Sequence, residues 1–433
     1  MHPMAPDVHD PAREPVECDV VIVGGSIAGN YLASLLAGKN LSVHVIEAHE
    51  TIGLPMKCAG IVSSKILNLL KIPKELILNR ISEARVFSKG NGFITICIKD
   101  RPVVLDRVEF DRYFMDLAVK LGATYHLGEK VTAIEPGQGS VSILTSRGKY
   151  TAKVLAGCDG AHSVVARRSG IVHEFITGKQ AIIEPPYRGE KFNVDQSICE
   201  LHFDPSWNDL FGWVIPAGNK GLRVGIATRT RVAERFDAMF ERRFGCSVDE
   251  AKNRGLIGSV AFTGGTIPVG LPTSCALDRI LLVGDAACQV KASTGGGIVM
   301  IAIAAQMAAR AILQAFATGN FSRRFFTRHY QAPFFKRARS NLKMHLAIHE
   351  AIKHFTGGDF SRLFSLANRP SIKRELARTA DMDFPVRFIL RILGEPGFYW
   401  WVVGFLLRDY RIFHDVLGTL LRGPPPAPKN VLE

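Results

Sequence analysis

The chain begins its regular structure with a short apolar run that passes into glycines and then into an apolar segment with helical spacing. In order, these parts are residues 18–23, Gly24, Gly25, Gly29 and residues 30–37. This order predicts a buried strand, a tight turn and the start of a helix. A second apolar run, residues 41–46, predicts a parallel neighbour strand that ends at Glu47. The pattern is that of a β-α-β unit.

Such a turn predicts a dinucleotide site. The first N–H groups of the helix lack partners within the helix, and the helix dipole adds positive charge, so they can hold a pyrophosphate. Glu47 is placed to accept hydrogen bonds from ribose hydroxyls. Ser26 stands where the fingerprint G-x-G-x-x-G has its middle glycine, and a small side chain is tolerated there if it points away.

The later pattern alternates between strand and helix signals. Strand-like alternation covers residues 81–99 and about 170–265, including a strand at 197–203 and a hairpin of 211–216 with 222–228. Shorter strands are predicted at 131–134, 142–145 and 152–158, and helices at 63–70 and 105–118. A further strand and glycine turn at 279–287 precede a long helix that begins at 298, and helices rich in aromatic residues follow to about residue 421. Residues 423–428 predict a polyproline-II end.

Charge and cysteine usage narrow the function classes. With 54 Lys and Arg against 40 Asp and Glu, the net charge is +14, which favours an anionic partner. The sequence shows no nucleic-acid motif and no basic run with interleaved aromatics, so nucleic acid is not expected. The eight cysteines lack C-x-x-C spacing, which favours a reducing, cytoplasmic compartment and neither a metal site nor disulfides. Residues 1–17 lack an apolar core and predict a disordered leader.

The order of the motifs resembles the p-hydroxybenzoate-hydroxylase-like class of FAD-dependent oxidoreductases. Within that class, three stretches resemble the geranylgeranyl reductase family. Residues 53–60 are similar to its P-x-x-C-[AG] loop, residues 211–216 with Val224-Gly225 to its Y-x-W-x-F-P…V-G hairpin, and residues 284–298 to its G-D-A-A-G…P-x-x-G-G-G-I stretch. The resemblance covers roughly residues 18–335. Departures are Cys288, Ala292, Phe211 and Ile215, where the family usually has Gly, Pro, Tyr and Phe.

The resemblance implies FAD as cofactor and a role for each matching position. It places Ala28 at the pyrophosphate with Gly24, Ser26 and Gly29, Glu47 on the adenosine ribose, Cys58 and Ala59 beside the isoalloxazine, Arg107 at the phosphates or ribityl chain, Val131 at the adenine, Asp285 at the ribityl hydroxyls, and Gly297 and Ile298 at the pyrimidine end. Phe211, Trp213 and Pro216 would line the substrate. A glycine-lined helix start also suits a reduced flavin, because its N–H groups stabilise negative charge at N1 and C2=O.

Several of these residues keep a second interpretation. Asp285 is also a candidate helix N-cap, Arg107 could instead pair with Asp111 on one helix face, and Phe211 and Trp213 could be core residues. Cys58 is either the proton donor for alkene reduction or a small residue in a tight loop. Cys58 and Cys288 also suggest a redox-sensitive disulfide, if both loops meet at the flavin.

We therefore predict an α/β fold in which a Rossmann-type FAD-binding domain is interleaved with an antiparallel-sheet substrate domain, followed by C-terminal helices. The FAD-binding domain would comprise residues 18–75, 103–169 and 266–335, the substrate domain 76–102 and 170–265, and the helical region 336–433.

The predicted function is FAD-dependent reduction of isoprenoid C=C bonds in geranylgeranyl chains of a lipid or prenyl quinone, with a ferredoxin or NAD(P)H as electron donor. One alternative is an FAD-dependent monooxygenase or halogenase, because residues 211–216 are also close to the halogenase W-x-W-x-I-P. Another is a flavin- or lipid-binding protein without turnover. The expected location is cytoplasmic, with peripheral contact at the inner face of the membrane. Residues 384–408 suggest either an interfacial helix or a lid over an apolar tunnel.

Overall fold

The structure is a computed structural model that describes residues 15–98, 100–207 and 209–421. Its strands are β1 Val16–Val23, β2 Val43–Glu47, β3 Ile61–Val62, β4 Ile77–Arg80, β5 Glu83–Ser88, β6 Gly92–Cys97, β7 Val103–Leu105, β8 Thr124–Leu127, β9 Val131–Pro136, β10 Val141–Thr145, β11 Lys149–Gly157, β12 Glu174–Ile183, β13 Ile198–Phe203, β14 Gly212–Pro216, β15 Leu222–Thr228, β16 Val260–Val269, β17 Ala276–Leu277 and β18 Ile280–Leu282. Its α-helices are α1 Ile27–Leu36, α2 Ile66–Leu69, α3 Arg107–Lys120, α4 Val164–Arg168, α5 Val232–Phe244, α6 Val248–Asn253, α7 Ile298–Thr318, α8 Arg323–Phe326, α9 Ala332–Lys353, α10 Gly357–Ala367, α11 Pro370–Thr379, α12 Val386–Ile392, α13 Pro396–Leu407 and α14 Tyr410–Leu421.

The first sheet has a parallel centre in the order β18-β11-β1-β2-β8. Its central strands are apolar along their whole length because helices cover them, and the largest core cluster joins β1, β2 and β11 to α1, α3 and α7. Short antiparallel strands complete the sheet: β17 pairs with β18, β10 with β11, and β9 with β10. The predicted β-α-β unit lies at the middle of this sheet.

The second sheet has the order β16-β12-β15-β14-β13-β5-β6. Its neighbours are antiparallel except β5 and β13, which run parallel. This pair departs from the predicted antiparallel sheet because β5 enters from an earlier part of the chain. A small third sheet has the order β3-β7-β4. It is formed by the chain just before β5 and just after β6.

The prediction of strand periodicity throughout residues 170–265 was wrong for two segments, α5 and α6. In α5, Phe236, Met239, Phe240 and Phe244 recur at helical spacing, and all four are buried against the second sheet. The helix covers the face of the sheet that carries Val214 and Val224. A helical layer therefore shields that face from water.

Three boundaries also differ from the predictions. The predicted leader, residues 1–17, overlaps the first strand, because Val16 and Glu17 pair with Tyr150 and Thr151 in β11. The predicted helix at 63–70 shortens to α2, where only Ile66 is fully buried and anchors the turn. Residues 1–14 and the polyproline segment 423–428 lie outside the described residues. The α/β fold class with C-terminal helices is confirmed.

Among the described residues, one helix, α7, is long and apolar enough by length and composition to cross a membrane. In its most apolar window, 72% of the residues are buried inside the protein. It packs against α1, and Ala338 and Leu342 of α9 belong to the same core cluster. These neighbours account for its apolar composition within the fold.

The turn after β1 yields a prediction about stability. A Cβ atom on Gly29 would lie 1.9 Å from the carbonyl oxygen of Gly24, so the helix start leaves no room for a side chain. We expect Gly29→Ala to lower the free energy of unfolding by at least about 3 kcal/mol, measured by chemical denaturation. Gly148→Ala is the matched control, because nothing lies within 4 Å of its Cβ position; it should change stability by less than about 0.5 kcal/mol. Equal midpoints for both variants would contradict this account.

Candidate cofactor site

The predicted cofactor residues meet at one edge of the first sheet. Parallel strands place their carboxyl ends at the same edge, and ligands of open α/β sheets bind there. β1 ends at the glycine turn, β2 ends at Glu47, and β18 leads through Val283 into Gly284 and Asp285. The topology therefore brings together three motifs that lie up to about 260 residues apart in the chain.

The glycine turn packs closely against the strand beside it. Gly24 has φ of +104°, and a Cβ atom there would lie 2.4 Å from the carbonyl oxygen of Cys158. Ser26 immediately precedes α1, and its Oγ donates to Oδ2 of Asp111 at 2.9 Å. The buried Asn30 holds the turn from behind by donating to the carbonyl oxygens of Gly25 and Asp111. No side chain of the described residues caps the first N–H groups of α1, which begin at this end of the strand.

Glu47 stabilises the glycine turn and also lies at the position predicted to bind a ribose. Its Oε2 accepts from the N–H of Gly25 at 2.6 Å, and its Oε1 accepts from the N–H of His49 at 2.8 Å. The carbonyl oxygen of Glu47 also accepts from the N–H of Glu129 at 2.9 Å. This bond holds Glu129 beside Glu47. Val131, two residues further along the chain, is buried at the start of β9. The ribose and adenine roles of these two residues stay predictions.

Arg107 forms a buried ion pair with Asp111 one turn along α3. Its Nη2 lies 3.0 Å from both carboxylate oxygens, so the predicted helix-face pairing does occur. Burial alone would lower the pKa of Arg107, but Asp111 and Cys58 together outweigh burial, so the pKa is raised. The Nε of Arg107 is buried without a hydrogen-bond partner among the described residues. Because an unpaired buried donor is costly, this N–H is a candidate contact for a bound anion or carbonyl.

Asp285 and the triple glycine form the other side of the site. Asp285 lies in a 3₁₀ turn, Gly284–Ala287, and its Oδ1 would lie 3.4 Å from a Cβ atom on Gly297. Gly284 approaches Ala28 of the pyrophosphate turn equally closely, since its own Cβ position is 3.3 Å from the Ala28 Cβ. Burial raises the pKa of Asp285 to about 6, although Arg107 opposes the shift. The carboxylate does not cap α7, because Gly297 has no side-chain cap and Ile298 begins the helix directly.

The loop of Cys58 and Ala59 is held between the two sheets. Arg223 on β15 is buried, and its Nη1 donates to the carbonyl oxygens of Ala59 at 2.6 Å and Leu105 at 3.1 Å. Thr263 on β16 donates to the carbonyl oxygen of Met56 at 2.7 Å. The guanidinium groups of Arg107 and Arg223 both interact electrostatically with the Cys58 side chain. The loop therefore places a thiol beside two buried cations.

The predicted substrate hairpin splits between the two faces of the second sheet. Phe211 and Trp213 pack in one cluster with Ala292 of the loop before α7 and Leu346 of α9. The Nε1 of Trp213 donates to Oε1 of Gln180 at 3.0 Å. Pro216 has the same parity as Val214, which packs on the α5 side. Phe211 and Trp213 thus face the loop before α7. Pro216, the last residue of β14, lies on the opposite face of the sheet.

The pair Cys58 and Cys288 is not a disulfide in this structure. Both are free thiols. Cys288 is fully buried, and its Sγ would lie 3.7 Å from a Cβ atom on Gly270, whereas Cys58 is half-buried beside Arg107.

The described residues also contain no group of three or more His, Cys, Asp or Glu side chains placed to hold a metal ion.

Sequence reasoning missed a buried polar network that joins the loop before α7 to the C-terminal helices. The Nζ of Lys291 donates to Oδ1 of Asp383 at 2.7 Å, and both side chains are buried. Ser293 is 2.6 Å from Nδ1 of His345, whose Nε2 lies 3.3 Å from the carbonyl oxygen of Asp383. Burial, followed by the Lys291 cation, lowers the pKa of His345 to about 3, so the ring is neutral at pH 7. The one local signal was a lysine just before an otherwise uncharged stretch.

Two clefts lie away from this edge. One has a volume of about 820 Å³ between β6 and α11, and the other about 460 Å³ beside β5, β13 and the end of α5. Neither is lined by a predicted cofactor residue.

The residues at the sheet edge fit a bound FAD. The glycine turn leaves free N–H groups for a pyrophosphate. A buried guanidinium has a donor to spare, and a carboxylate faces the glycine start of α7. These three features suit, in order, the phosphates, a carbonyl or phosphate oxygen, and the hydroxyl-bearing chain of the cofactor.

Comparison with known proteins agrees with this fit. Residues 17–324 match the FAD binding domain family. Digeranylgeranylglycerophospholipid reductase 2 of Methanothermobacter thermautotrophicus is 30% identical over 339 residues, which cover 76% of this chain and 86% of the relative.

Two solved structures share the fold. One is a geranylgeranyl bacteriochlorophyll reductase-like protein of Thermoplasma acidophilum, with a TM-score of 0.74 and 21% identity; the match covers 88% of this chain and 97% of that one. The other is p-nitrophenol 4-monooxygenase of Pseudomonas putida, with a TM-score of 0.66 and 18% identity over 84% of this chain and 97% of that one. The cofactor of this protein is FAD, and the chain belongs to the geranylgeranyl reductase family of FAD-dependent oxidoreductases.

Proposed function

We propose that this protein saturates isoprenoid C=C bonds in the geranylgeranyl chains of a lipid or prenyl quinone. The observation that supports this most directly is the Cys58 thiol, which interacts electrostatically with the buried guanidinium groups of Arg107 and Arg223, in a loop that Arg223 ties to the second sheet. Reduced FAD supplies the hydride that an unactivated alkene needs, and either a ferredoxin or NAD(P)H would reduce the flavin.

The protein residues have three tasks in this reaction. Arg107, Asp285 and the glycine turn bind and orient the cofactor. Phe211 and Trp213 pack toward the loop before α7 and offer apolar surface for an isoprenoid chain, which also excludes water. Cys58 donates the proton: as hydride adds to one olefinic carbon, the S–H bond breaks and the proton goes to the other carbon. Solvent reprotonates the resulting thiolate.

A monooxygenase or halogenase remains the alternative activity, because a fold relative is a monooxygenase and Trp213 also matches the halogenase hairpin motif. A flavin- or lipid-binding protein without turnover is the other. One experiment distinguishes all three: the holoenzyme is reduced anaerobically with dithionite, incubated with a digeranylgeranylglycerophospholipid, and the lipid is analysed by mass spectrometry. A gain of two hydrogens per double bond is expected. Incorporation of oxygen or halogen into the lipid in aerobic reactions would establish the first alternative. A lipid that stays unchanged under both anaerobic and aerobic conditions would show that the protein does not turn it over.

The role of Cys58 predicts a specific loss of turnover. Cys58→Ala removes the proton donor, so kcat for alkene reduction should fall by about 10²-fold to 10⁴-fold, measured with dithionite-reduced enzyme. FAD content should stay the same. Cys97→Ala is the matched control, because Cys97 is an exposed free thiol on β6; it should retain the activity of the parent protein. If Cys58→Ala also keeps full kcat, the thiol is only a small residue in the loop.

The role of Asp285 predicts a pH dependence of FAD affinity. The pKa of the free carboxyl is raised to about 6 by burial, and ribityl hydroxyls would donate to its ionised form. FAD should therefore bind more weakly as pH falls through 6, by about tenfold at pH 5 relative to the high-pH limit. Quenching of flavin fluorescence measures this affinity.

Asp285→Asn should bind FAD more weakly at pH 7 and should lose the dependence around pH 6. Asp116→Asn, an exposed carboxylate on α3, should keep the parent profile. A profile that stays unchanged in Asp285→Asn would remove Asp285 from the cofactor contacts.

A further inference from the structure

The outer side of the C-terminal helices carries an unusual concentration of exposed apolar side chains. Half of the large hydrophobic side chains that are exposed in the described residues lie between residues 390 and 421, namely Leu390, Tyr399, Trp400, Leu407, Tyr410, Phe413 and Leu421. Five of them are mostly open to solvent: Leu390 is 62% exposed, Trp400 68%, Leu407 72%, Tyr410 77% and Leu421 80%. Such a group indicates an interaction surface, whereas single exposed apolar residues do not.

These side chains follow helical faces. On α13, Tyr399, Trp400 and Leu407 recur at helical spacing, with the half-buried Val403 between them. The opposite face of α13 is also apolar, and its Phe405 packs on Ala347 of α9. The helix is therefore apolar on the side that contacts the protein and on the side that does not.

α14 repeats this arrangement. Tyr410, Phe413 and Leu421 are exposed, whereas Ile412 and Val416 are buried against α9. Since both outer faces are exposed although apolar, we call residues 390–421 the outer C-terminal surface. A partner that covers it must accept aromatic rings and aliphatic side chains over two adjacent helices.

We propose that the outer C-terminal surface binds a bilayer that contains anionic lipid, with α13 and α14 lying in the plane of the membrane interface. α13 has 12 residues and is too short to span a bilayer, but it suits an interfacial position. Trp and Tyr are the side chains that favour the level of lipid head groups.

The charges on this side favour anionic lipid over a neutral partner. Exposed Arg387, Arg391 and Arg411 lie next to the apolar positions. Among the nearby carboxylates, Asp415 pairs with His354 and Glu375 with Arg391, and the exposed Asp409 accepts from the N–H of Arg411. The guanidinium groups of Arg387 and Arg411 form no ion pair with a carboxylate of the described residues and so are available to anionic lipid. The whole chain has a net charge of +14, which adds long-range attraction to an anionic surface.

The proposal is tested by co-sedimentation of the FAD-loaded protein with phosphatidylcholine vesicles that either contain or lack phosphatidylglycerol. No substrate or reductant is added, so the result does not depend on the proposed reaction. We expect binding to both, at least about tenfold tighter to the anionic vesicles and weaker at high salt. Trp400 should also shift its fluorescence to shorter wavelength on binding, and Trp400→Phe should remove most of that shift.

The double variant Trp400→Glu, Leu407→Glu should lose at least tenfold in vesicle affinity. Both side chains are exposed, so its melting temperature and FAD content should match those of the parent. Val172→Glu is the matched control, because it adds a carboxylate at an 80% exposed apolar residue outside the surface; it should bind vesicles like the parent. The proposal is overturned if the parent protein ignores anionic vesicles, or if the double variant binds them unchanged. It is also overturned if light scattering shows a dimer that the double variant dissociates while vesicles remain unbound, since a second copy would then cover the surface.

Discussion

The buried ion pair between Arg107 and Asp111 is the interaction on which the cofactor site depends. A guanidinium and a carboxylate in the interior cost several kcal/mol each in lost hydration, so the pair is tolerable only with good geometry and further partners. Asp111 obtains its further partner from Ser26, at the start of α1. Arg107 in turn interacts electrostatically with Cys58 and Asp285. One pair on α3 thereby couples the glycine turn, the thiol loop and the turn after β18, and its Nε donor has no hydrogen-bond partner among the described residues.

Arg223 connects the second sheet to the loop that carries Cys58. It is buried on β15, yet its donors go to carbonyl oxygens of Ala59 and Leu105, outside its own sheet. Gly60 must be a glycine for this contact, because a Cβ atom there would lie 2.2 Å from the Arg223 Nη1. A strand of the substrate-side sheet is thus tied to the thiol loop by charge-assisted hydrogen bonds, which are stronger than neutral ones. The position of Cys58 relative to Phe211 and Trp213 follows from this tie.

How much of this was predictable depends on how local the signal is. The glycine turn, Glu47 and Asp285 each sit in a short motif at the end of an apolar run, and parallel strands bring such ends together whatever the intervening chain. Arg223, Lys291 and His345 carry no such signal, because their partners lie between 38 and 164 residues away and arise only from tertiary packing. The prediction for the segment of α5 was wrong for another reason. The segment was predicted as strand, although the spacing of its phenylalanines, four residues, is helical.

The C-terminal region has features that suit both interpretations of residues 384–408, the lid and the interfacial helix. Lys291 with Asp383, just before α12, and Ser293 with His345 of α9 join this region to the loop before α7, which is the polar anchoring that a lid requires. Its outer side, on α13 and α14, is apolar and exposed. A substrate with long isoprenoid chains dissolves poorly in water, and its transfer from a bilayer to a protein interior costs least where the two apolar phases adjoin. One helical layer that contacts the cofactor loop on one side and lipid on the other would provide that adjacency.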